Sequence, residues 1–119
     1  MKEILFRGKR VDNGKWVFGD LEHNGKNVPK WVNGNEIVPE TVGQYIGLTD
    51  KNGKKIFEGD IVHGYWNTKF LIFFDLCCLQ FRAKLSDGTE KDIDYYGDSK
   101  KIEVIGNIYD NPELLRSEK

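Results

Sequence analysis

A chain of 119 residues and 13.8 kDa with 39% hydrophobic residues has the length of one domain, or of two small lobes sharing a core, and too much apolar content for a disordered chain. Its 18 basic and 19 acidic residues leave a net charge of −1 and a pI near 6.1, which excludes a uniformly basic nucleic-acid footprint while allowing a local patch. The opening MKEILFRGKR lacks the apolar core of a secretory signal and no run approaches membrane-spanning length, so the expectation is a cytoplasmic protein with no membrane partner.

In chain order, Lys2 to Arg7 alternates weakly as a first strand, Val11–Lys15 turns, and Trp16–Leu21 returns as the second strand of a hairpin. His23–Lys26 is another turn. The extended piece Val28–Val32 belongs at a sheet edge, because Pro29 has no N–H for a central ladder. Asn33-Gly34 turns again, Glu36–Val38 is extended, and Pro39-Glu40-Thr41 starts a single helical turn. Four Asn-Gly pairs before Lys54 cut this half into hairpins too short for a helix.

The stretch Gln44–Val62, QYIGLTDKNGKKIFEGDIV, carries the strongest local signals. Asn52-Gly53 between the apolar flanks Tyr45, Ile46, Leu48 and Ile56, Phe57 predicts a type I′ hairpin turn with positive φ at both residues. Glu58-Gly59-Asp60 then breaks the chain, and Ile61–Trp66 is the next strand. Phe70–Phe74 reads as a strand buried on both faces. Cys77, Leu79, Phe81, Ala83 and Leu85 alternate with Cys78, Gln80, Arg82 and Lys84, which predicts a strand with one wet face. It also sets the cysteines on opposite faces as reduced thiols, at least one of them in the core. Ser86–Thr89 turns, Glu90–Tyr96 alternates as a strand, and Gly97-Asp98-Ser99 turns. Ile102–Ile108 is the last strand, and Asn111-Pro112-Glu113 has the residues of a helix start. The expected fold is all-β: an N-terminal β lobe over 1–43, a small, partly open barrel over 44–119, and a short C-terminal helical turn. The Glu58-Gly59-Asp60 entry to a strand resembles that of SH3-like barrels.

Gln44-Tyr45-x-Gly47-Leu48-x-Asp50-x-Asn52-Gly53-Lys54, followed by Glu58-Gly59-Asp60-Ile61-Val62, resembles the signature of the YopX family, small proteins encoded by phages and prophages. Met1-Lys2-Glu3-Ile4-x-Phe6-Arg7, Val38-Pro39-Glu40-Thr41-Val42 and Val104-Ile105-Gly106-Asn107-Ile108-Tyr109 fit as well, so the similarity runs nearly end to end. Ile46 departs from it, standing where the family pattern has Thr. The resemblance implies an all-β protein and supplies no catalytic residues to carry over.

The residues themselves point to binding more than to catalysis. Asp60, His63, Asp75, Asp92 and Asp94 are candidate oxygen and nitrogen ligands for a divalent cation, and Asp92 and Asp94 at i, i+2 would share a strand face. The same alternation equally describes a solvated face held against Arg82 and Lys84, and no metal motif accompanies it, so neither a metal nor another cofactor is expected. His23 and His63 lie in no nucleophile signature, and the 13 glycines sit in turns rather than in a phosphate-binding loop. Lys51, Lys54 and Lys55 on the central hairpin, with Tyr65 and Trp66 on the next strand, are the residue types with which small barrels hold single-stranded nucleic acid. The ordinary alternatives are solubility for the lysines and core packing for the rings. Three tryptophans and five tyrosines, with Trp31 beside the edge proline the one expected at the surface, favour a subunit or partner interface. The functional expectation is a phage-type accessory protein in a bacterial host cell, non-enzymatic and homo-oligomeric, working by binding itself and an unidentified protein. A single-strand-binding barrel is the alternative, and a metal-dependent hydrolase comes third.

Overall fold

The computed structural model describes residues 3–96, 98 and 100–115, and of Tyr96 only the backbone. The chain divides into two compact units, Met1–Tyr45 and Ile46–Lys119. Both are built from short antiparallel strands joined by tight turns, and no helix among the described residues is long and apolar enough to cross a membrane.

The first unit holds β1 (Phe6–Lys9), β2 (Trp16–Gly19), β3 (Leu21–His23), β4 (Pro29–Val32) and β5 (Asn35–Glu36). β1 pairs with β2 on one side and, on the other, with Gly43 and Gln44 at the start of β6 (Gly43–Thr49). β3, β4 and β5 form a second small sheet in which Pro29 stands opposite His23 beside a register shift. The β4–β5 hairpin turns through Asn33 (φ 50°) and Gly34 (φ 79°), the two-residue left-handed turn for which Asn-Gly is suited. Val32 and Ile37 are fully buried here, and Gly8 leaves room for Ile37, whose Cβ would lie 3.1 Å from a Cβ added at that position.

The second unit continues β6 into β7 (Lys55–Phe57), followed by β8 (Asp60–Gly64), β9 (Thr68–Asp75), β10 (Gln80–Lys84), β11 (Glu90–Lys91) and β12 (Glu103–Asn107). The last five make one antiparallel sheet in the order β11-β10-β9-β8-β12. β11 and β12 are its edges, and no pairing among the described residues closes it into a barrel. Period two decides which face is inside. Val62, Phe70, Ile72, Ala83 and Val104 point into a core shared with Ile56 and Ile102, and Ile46, Leu85 and Ile93 pack around it. Burying a side chain such as Phe70 contributes about 2–3 kcal/mol each time, so this cluster is the main source of the unit's stability. On the opposite face Glu103, His63 and Lys69 stand in a row across β12, β8 and β9.

Carboxylates organise the connections. Asp60, 1% exposed, accepts the Phe57 N–H at 2.8 Å and so closes the Glu58-Gly59 break with a bond inside the core. Asp50, 5% exposed, accepts the N–H groups of Asn52 and Lys54 on Oδ1 and that of Val104 on Oδ2. The Lys51 N–H adds a bond to the Ile102 carbonyl, so the β6–β7 turn is tied to edge strand β12. The turn is not the expected type I′: Asn52 keeps a negative φ and only Gly53, at φ 79°, is left-handed, because the Asp50 side chain claims the turn's donors.

Three further expectations are corrected. Cys77, Cys78 and Leu79 are not strand residues. They belong to the exposed turn between β9 and β10, where Asp75 accepts the Cys77 N–H at 2.8 Å and Leu79 turns through φ 55°, so both thiols face solvent and neither is in the core. Phe70–Phe74 is not buried on both faces, since Leu71, Phe73 and Phe74 are only half-buried. The alternation over Glu90–Tyr96 yields only two strand residues before a 3-10 turn at Ile93–Tyr96, which seats Ile93 against the core. The first strand begins at Phe6, and the C-terminal helix start is a single 3-10 turn, Pro112–Leu115. Lys2, Gly97 and Ser99, on which other expectations fell, lie outside the described residues.

Two substitutions test these constraints. Burial works against the charge on Asp50, but the N–H groups of Val104, Lys54 and Asn52 and the charge of Lys54 outweigh it and hold the carboxyl below its ordinary value. Its stabilisation is therefore complete above the ordinary value of about 3.9 and is lost as pH falls through the lower folded-state value. Asp50→Asn should cost about 1–3 kcal/mol in urea unfolding at pH 7, with the gap to the parent closing in strong acid. A Cβ at Gly106 would meet Asn111 Oδ1 at 2.6 Å and Leu114 Cδ1 at 2.9 Å, so Gly106→Ala should cost about 1–3 kcal/mol and speed amide exchange in residues 111–115.

Candidate binding surface

β8 ends at Gly64, where the chain reverses through Tyr65, Trp66 and Asn67 into β9. Trp66 (φ 60°, ψ 30°) and Asn67 (φ 54°) are both left-handed, and the Thr68 N–H closes the turn on the Tyr65 carbonyl. Asn33-Gly34 likewise places two left-handed residues in succession in the first unit. A tryptophan at the first such position of the β8–β9 turn pays steric strain of about 1–3 kcal/mol, because a bulky side chain clashes with its own backbone at positive φ. Nothing in the core recovers that cost, since Trp66 is 74% exposed.

The indole is nevertheless placed among other rings. Tyr65 meets it edge-on with centroids 5.6 Å apart, and Tyr95 lies 6.2 Å away at an interplanar angle of 50°. Tyr95 arrives from the Ile93–Tyr96 turn, whose Ile93 anchors it to the core while the Tyr95 N–H bonds the Asp92 carbonyl. Lys91 Nζ stands 5.0 Å from the Tyr95 ring centroid, a cation–π contact. At the foot of the turn Asn67 Oδ1 is 2.9 Å from His63 Nε2. Exposed Lys69, three residues past Trp66, is the cross-strand partner of His63, and Lys91 is that of Ala83.

The other candidate residues are dispersed. Lys51 and Lys54 are exposed on the β6–β7 turn and Lys55 is half-buried at the start of β7. Lys51 Nζ lies 3.6 Å from Glu103, the cross-strand neighbour of His63, so Lys51 approaches the aromatic turn only through an intervening carboxylate. Trp31 belongs to the first unit and is half-buried with Lys30 Nζ 5.2 Å from its ring, so Trp66 is the most exposed of the three indoles. Sequence reasoning did not select Tyr95, Lys91, His63 or Asn67 for this surface. The spacing of Lys91, Ile93 and Tyr95 puts the three on one strand face but leaves Lys91 and Tyr95 far apart along it, and only the 3-10 turn at Ile93–Tyr96 accompanies their 5.0 Å contact.

The acidic candidates do not converge. Asp92 is turned toward Arg82 Nε at 3.4 Å, and Asp75 takes Arg82 Nη1 at 3.2 Å. The Cys77 N–H and Arg82 hold the Asp75 carboxyl below its usual range. Asp92 and Asp94 no longer share a strand face, and among the described residues no three His, Cys, Asp or Glu side chains are grouped to hold a metal ion. The turn that Asp75 caps carries a second apolar surface, with Leu76 79% and Leu79 72% exposed on either side of the two thiols. A shallow pocket of about 300 Å³ in the first unit, walled by Val11, Val28 and Val38 with Lys30 and Glu36, has no converging set of polar groups.

The crystal structure of protein EF1440 from Enterococcus faecalis superposes with a TM-score of 0.67 at 24% identity, over 98% of this chain and 100% of that one. At that identity the likeness speaks for the fold alone. No curated protein matches the chain. The family model described as YopX protein matches residues 5–116, nearly the whole length, and the chain belongs to the YopX family.

Proposed function

We propose that this is a phage-type accessory protein of the host cytoplasm that works by binding rather than by catalysis, and that it self-associates through the β9–β10 turn. The observation that carries the reading is the pair Leu76 and Leu79. Two leucines more than two-thirds exposed on one turn are a cost in water unless something covers them. The turn is also preorganised. Asp75 accepts the Cys77 N–H on its side chain and the Leu79 N–H on its carbonyl, and it pairs with Arg82, so little conformational freedom remains to be lost on docking. A second copy is the partner that an apolar, nearly uncharged tip fits, because it presents the same tip. Edge pairing at β12 contributes less than expected from sequence, since the Val104 N–H of that edge is bonded to Asp50. Within this reading residues 1–43 act as a separate β lobe and 44–119 as the partly open, SH3-like barrel, supported by five short antiparallel strands around one apolar cluster.

The test is sedimentation velocity with thiol labelling. The parent protein should run as an oligomer at tens of micromolar, and Cys77 and Cys78 should react more slowly with a maleimide as concentration rises. Leu76→Ser with Leu79→Ser should give a monomer whose thermal midpoint equals the parent's when both are measured below the concentration at which the parent assembles, because neither side chain is in the core. A parent that stays monomeric, or a doubly substituted protein that stays oligomeric, overturns the proposal.

A further inference from the structure

We propose that the Tyr65–Trp66–Tyr95 shelf, flanked by Lys69 and Lys91, is a binding site for the unpaired bases of single-stranded nucleic acid. This site is distinct from the Leu76–Leu79 turn and does not depend on it.

Asn33-Gly34 places two consecutive left-handed residues in a two-residue loop of the first unit, and in the three-residue β8–β9 loop the first of the two left-handed positions is held by tryptophan. Residues kept in costly backbone conformations without a packing reward mark places where presentation matters. What the turn presents is an indole held away from the core beside two phenol rings, at 5.6 and 6.2 Å, and itself 74% exposed.

The surroundings decide the occupant. An apolar protein partner would be met by apolar neighbours, and here the neighbours are polar: Asn67 follows Trp66 and meets His63, Lys91 lies against Tyr95, and exposed Asp94 precedes it. A nucleobase suits both parts, with a π face for the rings and a hydrogen-bonding edge for the rim, and every base has that face. Lys91 lies against the Tyr95 ring and exposed Lys69 follows Trp66 by three residues, so each is a candidate for a phosphate next to a base seated on the rings. Asp94 is exposed next to Tyr95, and Asp92 is engaged by Arg82, so the cationic surplus is small. Binding is therefore dominated by stacking, in keeping with a chain whose net charge is −1. Duplexes, whose base faces are covered, are excluded.

The test is fluorescence anisotropy of labelled fifteen-nucleotide dT and rU strands against the full chain, with a duplex of equal length as comparison. Both strands should bind and the duplex should not. The slope of log affinity against log salt should be about −1.4, from two lysines at about −0.7 each, and Lys91→Ala should bring it to about −0.7. Tyr95→Ala and Trp66→Gly should each weaken binding about tenfold or more. Trp66→Gly should do so with a thermal midpoint equal to or above the parent's, because glycine relieves the left-handed strain. Trp66→Asn, which tolerates the same backbone, provides the second variant at that position. Absence of binding at millimolar protein overturns the proposal, as does a steep salt slope indifferent to Trp66→Gly. Loss of self-association in Trp66→Gly with strand binding intact also overturns it, and assigns the shelf to a subunit contact. Repeating the titration on the Leu76→Ser, Leu79→Ser protein separates this site from the association surface: strand binding there should persist whether or not the chain assembles.

Discussion

One carboxylate carries an unusual share of this architecture. Asp50 gathers three backbone N–H groups, two from its own turn and one from Val104 some fifty residues later in the chain. Without the last of these, β12 would be an edge strand with its inner donor facing low-dielectric surroundings, and such an orphan costs about 1–3 kcal/mol. With it, the β6–β7 hairpin and β12 become one assembly, and Ile56, Ile102 and Val104 are brought to the same core as β8 and β9. A single side chain thereby converts a local turn into a long-range constraint.

The same device recurs at smaller scale. Asn13, Asn24, Asp75, Asp87 and Asp98 each accept an N–H two residues ahead, and Asn107 takes the N–H groups of Tyr109 and Asp110. In a fold of short strands, where connections make up much of the chain, side chains that mimic the backbone hold the loops without long ladders. The consequence for function is that the exposed groups are carried by ordered turns. Leu76 and Leu79 project from a turn capped by Asp75, and Tyr95 projects from a turn whose Ile93 is anchored in the core. The β8–β9 turn stands apart, because there the tip residue itself is strained.

Much of the β architecture was legible in the sequence. The short apolar run Phe70–Phe74 identified β9, though not its half-buried second face, and period two through Gln80–Lys84 identified β10 and sorted Phe81 and Ala83 from Arg82 and Lys84. The pattern failed where it carried on past the strand. Cys77 and Leu79 keep the alternation of Phe81 and Ala83, yet a side chain to backbone bond from Asp75 and a left-handed Leu79 turn the chain before it can pair. In Glu90–Tyr96 the alternation was equally persuasive, and the need to seat Ile93 in the core curled it into a 3-10 turn. The shelf was half visible: Tyr65 and Trp66 were selected as exposed rings, while Tyr95 comes from thirty residues away and no local signal connects them.

The sequence by itself determined the strand-and-turn character of the chain, the family, and the places of β8, β9 and β10, because hydrophobic pattern and Asn-Gly, Asp-Gly chemistry act over a few neighbouring positions. Tertiary structure alone decided which aromatic rings meet, that both cysteines stand in solvent, and that Asp50 and not the Asn-Gly dipeptide governs its turn. The rings and the Asp50 turn depend on partners far away in the chain, whereas the cysteines are turned outward by a bond that Asp75 makes close by, and neither kind of contact is written in the hydrophobic period.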